Sequence, residues 1–316
     1  MKHLFIVNPT AGGKDATKAV EAMAGKAFAE RGISSSEYEI YVTKAPMDAP
    51  DKIRREAAGG EHLRVYACGG DGTFNECVCG AAQLDNVAVC PLPTGTGNDF
   101  CRMFGDEAEL YRDLDAILDG TEHPIDLIDC NGRWCANICS VGIDARIGTD
   151  VHKYSSLPLC GGAAAYVVSA IVNMLKGISR RMYIKCGDFY AEGDHTLVCA
   201  CNGRYYGGGF NPSKYARPDD GIMDIYVVKK VSLFTFARLI KKYAEGEVET
   251  FKDRAVHLRG REIEIGFDEE NVINVDGEAL HSDIARLKLV PGCLRLIVPR
   301  GNSFFGNEKP AEAPGV

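Results

Sequence analysis

Apolar positions along the chain change their rhythm once, near Gly120–Pro124. Before that point, unbroken apolar runs at Leu4 to Val7, Leu63 to Ala67 and Val87 to Leu92 predict strands buried on both faces, as in a parallel sheet. Each run ends in a glycine-rich turn, and a helix-like stretch follows each turn. Ala16 to Arg31 is alanine-rich with helical spacing, Lys52 to Ala58 and Ala108 to Leu118 share the pattern, and Glu37 to Thr43 alternates like a strand. After His123 strand-like runs dominate: Pro124 to Cys130, Trp134 to Ser140, Met182 to Cys186, Thr196 to Cys201, Met223 to Val228, Arg261 to Phe267, Val272 to Val275 and Leu294 to Val298. Turn residues punctuate them, which predicts an antiparallel β domain. Helical stretches at 163–175 and Leu233–Ala244 interrupt it. The expected fold class is α/β in two domains, an N-terminal α/β domain over residues 1–122 and a C-terminal antiparallel β-rich sandwich over 123–291. The tail from Gly306 is expected to be disordered.

In an open parallel sheet the crossovers share one hand, so the three glycine turns should emerge along one edge. They read Asn8-Pro9-Thr10-Ala11-Gly12-Gly13, Gly69-Gly70-Asp71-Gly72-Thr73-Phe74-Asn75-Glu76 and Pro93-Thr94-Gly95-Thr96-Gly97-Asn98-Asp99-Phe100. Glycines there let backbone N–H groups approach an anion, and helix N-termini favour negative charge, so the edge reads as a phosphate site. Neither the Walker A pattern nor G-x-G-x-x-G is present. Asp71 and Asp99 sharpen the reading. A bare carboxylate beside a polyphosphate is repelled by roughly 4 kcal/mol per unit-charge pair at 4 Å and an effective dielectric of 20. Two of them make sense if a divalent cation links them to the phosphates. The plainer alternative is that both only cap turns and helix N-termini.

Composition narrows the class. The 316 residues, 46% hydrophobic and 25% charged, suit a globular protein of about two domains. A net charge of −8 argues against broad nucleic-acid binding and against general attraction to anionic membranes, so any membrane contact must use a local patch. The 13 cysteines have no metal-knuckle spacing and read as reduced core thiols of a cytoplasmic protein. No signal peptide is expected from the four apolar residues after Met1-Lys2-His3, and no stretch is long enough to span a bilayer.

The three turns together resemble the diacylglycerol kinase catalytic-domain family, which includes bacterial soluble lipid kinases and sphingosine kinases. Asn202-Gly203-Arg204-Tyr205-Tyr206-Gly207-Gly208-Gly209, Pro218-Asp219-Asp220-Gly221-Ile222-Met223-Asp224 and Asn274-Val275-Asp276-Gly277-Glu278 are similar to motifs of its bacterial branch. The resemblance implies ATP lying across the first domain, with Asn8, Pro9, Thr10, Ala11, Gly12, Gly69, Gly70, Asp71, Gly72, Thr73, Asn75, Glu76, Asn98 and Asp99 around the phosphates. Thr43 and Thr96 match nucleotide-contacting positions. It further implies that Asp71, helped by Asp99, organises the Mg²⁺ that accompanies ATP. Glu278 would be the general base for a lipid hydroxyl, with Asp276 beside it. A structural Mg²⁺ would sit at Asp220, completed by main-chain oxygens of Arg217 and Ile222. The family also has its last strand, here within about 292–305, return to complete the first domain, and its active site lies in the cleft between domains.

Read from the residues alone, Asp276-Gly277 is equally a hairpin turn with solvated acids, and Asp219-Asp220-Gly221 equally a plain turn. Tyr205 to Phe210 either flanks a lipid entrance or packs on a sheet. Val231 to Tyr243, apolar with Lys229, Lys230, Arg238, Lys241 and Lys242 around it, either lies on an anionic bilayer or packs on its own domain. His195, His257 and His281 read as structural and Trp134 as core. The expectation is an ATP- and Mg²⁺-dependent kinase of a lipid hydroxyl, diacylglycerol foremost. It would be cytoplasmic, touching membranes peripherally, and compatible with a homodimer. A NAD-type kinase and a nucleotide-binding regulator without turnover remain the alternatives.

Overall fold

The computed structural model describes residues 1–13, 15–95, 97–155, 169, 172–174 and 177–306. They form two units, the first comprising Met1–Leu127 and the segment from Pro291, the second Ile128–Val290.

In the first unit, parallel strands β1 (Lys2–Val7), β2 (Tyr38–Val42), β3 (Leu63–Gly69) and β4 (Val87–Pro93) stand in the order β4-β3-β1-β2. Every residue of β3 and β4 is buried, which is why both read as continuous apolar runs. Helices α1 (Thr17–Glu30), α2 (Asp48–Ala57) and α3 (Asp71–Ala81) connect the strands. The predicted helix over Ala108–Leu118 is instead a 3₁₀ stretch, Gly105–Arg112, followed by the short helix α5 (Leu114–Leu118) after α4 (Asp99–Arg102). Asp113 makes the break. Its backbone turns extended (ψ 101°) and its carboxylate accepts from the N–H groups of Asp115 and Ala116, capping α5.

The chain leaves this unit inside strand β5 (Thr121–Cys130), a few residues beyond the expected Gly120–Pro124, because the buried run Ile125–Ile128 continues one strand across that point. It returns in the last part of β13 (Glu278–Val298), where Arg295 and Leu296 pair in parallel with Ala88 and Val89 of β4. Flanking backbone bonds reinforce the return, Gln83 N–H to Cys293 O at 2.8 Å and Arg300 N–H to Ala116 O at 2.8 Å.

In the second unit, β6 (Arg133–Cys135), β7 (Ile138–Gly142), β8 (Arg180–Cys186), β9 (Phe189–Cys201), β10 (Met223–Lys229), β11 (Ala255–Gly260), β12 (Glu262–Val275) and most of β13 pair antiparallel. Alternation explains the apolar runs Leu197–Cys201 of β9 and Ile225–Val228 of β10, which are buried on both faces. Val198, Ala200, Ile225 and Val227 face one core with Ile184, Ile265, Ala285 and Leu287, giving the sandwich. Leu197, Cys199, Cys201, Tyr226 and Val228 face a second core, closed by helices α6 (Ile143–Ser155) and α7 (Leu233–Ala244). Strand runs at 261–267 and 272–275 are one strand with an irregularity between Gly266 and Asn271. Trp134 is half-buried rather than core, since β6 is a three-residue strand. The expected helix at 163–175 and the tail after Gly306 lie almost wholly outside the described residues. All 12 described cysteines are buried and unbridged. Among the described residues no helix is long and apolar enough to cross a membrane.

A half-buried aspartate beside the second core has its carboxylate enclosed. Asp144, on α6, accepts from Tyr206 Oη at 2.7 Å, and Tyr206 Oη lies 2.7 Å from Tyr243 Oη. Burial pushes the Asp144 carboxyl up to about 6 from 3.8. A raised carboxyl stabilises the fold fully below 3.8, and that contribution is lost as pH rises through about 6. Asp144→Asn is therefore expected to raise stability by up to about 3 kcal/mol at mildly alkaline pH, with the difference vanishing in acid, as read by urea unfolding across pH.

Candidate functional site

The parallel register puts the carboxyl ends of four strands on one edge. Val7 pairs with Val42 and with Cys68, and Gly69 pairs with Pro93. All three glycine turns and Thr43 therefore start from that edge, where open α/β sheets bind ligands. The first turn is folded by Asn8, whose Oδ1 accepts from the Thr10 N–H at 3.0 Å and the Thr10 hydroxyl at 2.9 Å. Gly12 has φ +67°, and a Cβ there would stand 3.0 Å from Gly95 Cα, so turns one and three touch through glycine backbone. Thr43 donates its N–H to Val7 O at 2.9 Å, docking the end of β2 beside the first turn.

Turns two and three are joined by Asp71. Its N–H donates to Gly97 O at 3.1 Å, and its carboxylate accepts from the N–H groups of Asp99 at 3.0 Å and Phe100 at 3.3 Å. The capping alternative thus describes Asp71 well, except that the helix it caps is α4, in the next turn, and not its own. A Cβ on Gly70 would stand 2.9 Å from Gly97 O, so the approach needs glycine. Asp99 is buried with Arg102 Nε 3.1 Å from its carboxylate, an i,i+3 pair. A recess at this place is lined by Gly69, Gly70, Asp71, Asn98 and Phe100.

Other predicted contacts divide. Asn75 is buried on α3, where its Oδ1 lies 3.7 Å from Cys79 Sγ. Glu76 accepts from the Met47 N–H at 3.0 Å and so fastens the start of α2. Pro9, Thr10, Ala11 and Gly72 lie in or beside the turns with exposed or half-buried surface. The buried hydroxyls of Thr73 and Thr94 have no hydrogen-bond partner among the described residues. These two hydroxyls, in the first turn of α3 and just after β4, are costly to leave without a water or ligand partner. Thr94 was not singled out from sequence, where a threonine between Pro93 and Gly95 looks like any loop residue. Thr96 lies outside the described residues.

The second unit separates the two late carboxylates. Asp276 (φ +51°) and Gly277 (φ +96°) form a two-residue hairpin between β12 and β13, with Val275 paired to Glu278. The Asp276 carboxylate accepts from the N–H groups of Ala136 at 2.7 Å, Asn137 at 3.0 Å and Ile138 at 2.9 Å, and the Cys135 thiol lies 3.0 Å away. It is consumed in holding the loop between β6 and β7. Glu278 is exposed at the start of β13. The hairpin so orients one acid inward as a tether and leaves the other available to chemistry.

The loop expected to carry a structural Mg²⁺ does not fit one as it stands. Asp220 accepts from Ile222 N–H at 3.2 Å and pairs with Arg259 at 3.0 Å. Arg217 pairs with Asp219 at 2.9 Å, and Arg261 donates to Gly221 O at 2.9 Å. Guanidinium groups already supply the positive charge a divalent ion would bring. Among the described residues no group of three or more His, Cys, Asp or Glu side chains is gathered for a metal.

Residues 2–130 match the Diacylglycerol kinase catalytic domain, and residues 137–298 match the YegS C-terminal NAD kinase beta sandwich-like domain. The chain thus belongs with proteins that join a diacylglycerol kinase catalytic domain to a YegS-type C-terminal domain. It is 29% identical over 279 residues to the Probable lipid kinase YegS-like protein of Stenotrophomonas maltophilia, covering 85% of this chain and 89% of that one. Identity to the diacylglycerol kinase of Bacillus subtilis is 28% over 276 residues, covering 87% and 88%. A solved Bacillus anthracis structure, provisionally named a diacylglycerol kinase, superposes with TM-score 0.72 at 26% identity over 94% of this chain and 96% of that chain.

Two expectations follow. Asp276→Ala should cost about 3 kcal/mol in urea unfolding by leaving three backbone amides unpaired, whereas Glu278→Ala should stay within about 0.5 kcal/mol of the parent. Adding Mg²⁺ or a chelator to nucleotide-free protein should leave its melting temperature unchanged, read by calorimetry.

Proposed function

We propose that this chain is an ATP-dependent lipid kinase, moving the γ-phosphoryl group of ATP to a lipid hydroxyl, with diacylglycerol as acceptor and phosphatidic acid as product. The observation that carries the reading is the gathering of three glycine turns and Thr43 on one strand edge, with the Thr73 and Thr94 hydroxyls unsatisfied there. Exposed N–H groups of these turns bind phosphate oxygens, and the Asp71 tether keeps turns two and three at fixed spacing while they do so. The divalent cation that arrives with ATP neutralises phosphate charge during transfer. Glu278 accepts the proton of the attacking hydroxyl. As an exposed carboxylate on a rigid hairpin, it has the freedom to meet an acceptor that Asp276 lacks. Relatives named as lipid and diacylglycerol kinases support the acceptor class. The protein works peripherally, at the cytoplasmic face of a membrane.

The deciding experiment is phosphoryl transfer from labelled ATP·Mg²⁺ in mixed micelles, offering diacylglycerol, a sphingoid base, phosphatidylglycerol, undecaprenol and, as a soluble control, NAD. Labelled phosphatidic acid is the expected product, and labelled NADP in its place would overturn the lipid reading. Glu278→Gln should lower turnover on the order of 10²-fold with ATP affinity unchanged, the usual scale for a lost general base. Undiminished turnover in that variant would remove Glu278 from the reaction.

A further inference from the structure

Helix α7 carries more apolar surface than its own core uses. Phe236 and Tyr243 are buried, and Leu239 and Ile240 pack against the second core of the sandwich unit, which accounts for its inward face. Leu233 and Phe234, in the first turn, point outward at 50% and 72% exposure. Among the described residues only Met1, Met47 and Tyr190 are other large apolar or aromatic side chains so exposed, and none of those three adjoins another. Around the pair stand Lys229, Lys230, Arg238, Lys241 and Lys242, all exposed. Phe234, Arg238, Lys241 and Lys242 follow helical spacing along one face, with the Arg238 guanidinium 5.7 Å from the Phe234 ring centre. Between residues 229 and 245 these five cations meet one acid, Glu245, in a chain whose net charge is −8.

The geometry points to this face as the docking surface for an anionic lipid bilayer, with Leu233 and Phe234 inserting among the headgroups and the cations lying on lipid phosphates. The inference rests on the lipid-kinase reading for its purpose but not for its evidence. Two apolar side chains are too few for the core of a stable protein interface, which needs about 800 Å² per partner. Five cations, three on the helix and two at the end of β10 or just past it, suit a diffuse negative surface instead. The ion pairs Lys230–Asp194 (2.7 Å) and Lys241–Glu245 (3.8 Å) are solvent-exposed and so exchange readily for lipid phosphate. Glu247 and Glu249 lie beyond the helix end. The helix is preformed, its first turn capped by Ser232, whose hydroxyl accepts from the Thr235 N–H at 3.2 Å, so binding need not fold it.

The test is co-sedimentation of the full chain with vesicles of phosphatidylcholine alone or phosphatidylcholine with phosphatidylglycerol, over a salt series. Binding is expected only with the anionic lipid and should fade as salt rises. Arg238→Ala, Lys241→Ala and Lys242→Ala should each weaken it about five-fold, and Phe234→Ser about ten-fold or more, with circular dichroism unchanged. In the same variants, phosphorylation of vesicle-borne diacylglycerol should fall in step, while that of a short-chain diacylglycerol dissolved as monomer holds. Binding that ignores lipid charge, or that all four variants retain, would overturn the assignment. Salt-sensitive binding lost in the variants, with no lipid phosphorylated in either form, would uphold the surface and sink the kinase reading.

Discussion

A carboxylate accepting from two backbone amides of a distant turn is the constraint on which the edge that gathers the glycine turns depends. A parallel sheet delivers glycine turns to one edge, but glycine gives each of them conformational freedom that a binding site cannot use. Asp71 removes that freedom for turns two and three at once, and the close approach of Gly12 to Gly95 ties in turn one. The backbone amides of all three turns are thereby held at fixed spacing.

The same device recurs in the second unit. Asp276 meets three successive backbone N–H groups of a loop more than a hundred residues earlier in the chain, and in doing so points its neighbour Glu278 outward. In both places a carboxylate that reads as chemistry in the sequence is architectural, and it is architecture of the kind that positions chemistry. Arg259 on Asp220 continues the theme, with a side-chain cation filling a role that an ion would otherwise take.

How much could be read from the residues follows from burial. Most of β1, β3, β4 and β10 and the second half of β9 are covered on both faces, so their apolar runs, Leu4–Val7, Val65–Cys68, Val87–Leu92, Leu197–Cys201 and Ile225–Val228, admit one reading. Strand β11 is half-exposed along its length and carries no such signal. The long first part of β13 alternates its buried residues Ala285, Leu287 and Leu289 with exposed Arg286 and Lys288, a one-faced alternation easily taken for a polar loop. The gathering of the turns was legible because parallel strands joined by crossovers of one hand all end on the same edge. Asp276's partners were not, since nothing local says which loop will lie beside it. Nor was the split personality of α7, whose inner and outer apolar residues look alike until the packing sorts them.

The return of β13 to the first unit has a consequence for how this protein is made. Synthesis proceeds from the N-terminus, and β4 emerges from the ribosome about two hundred residues before the segment that pairs with it. Throughout that interval the nascent sheet presents β4 as an open, wholly apolar edge, the kind that recruits other strands. The second unit must be translated before that edge can close, so the first unit is completed last despite being encoded first.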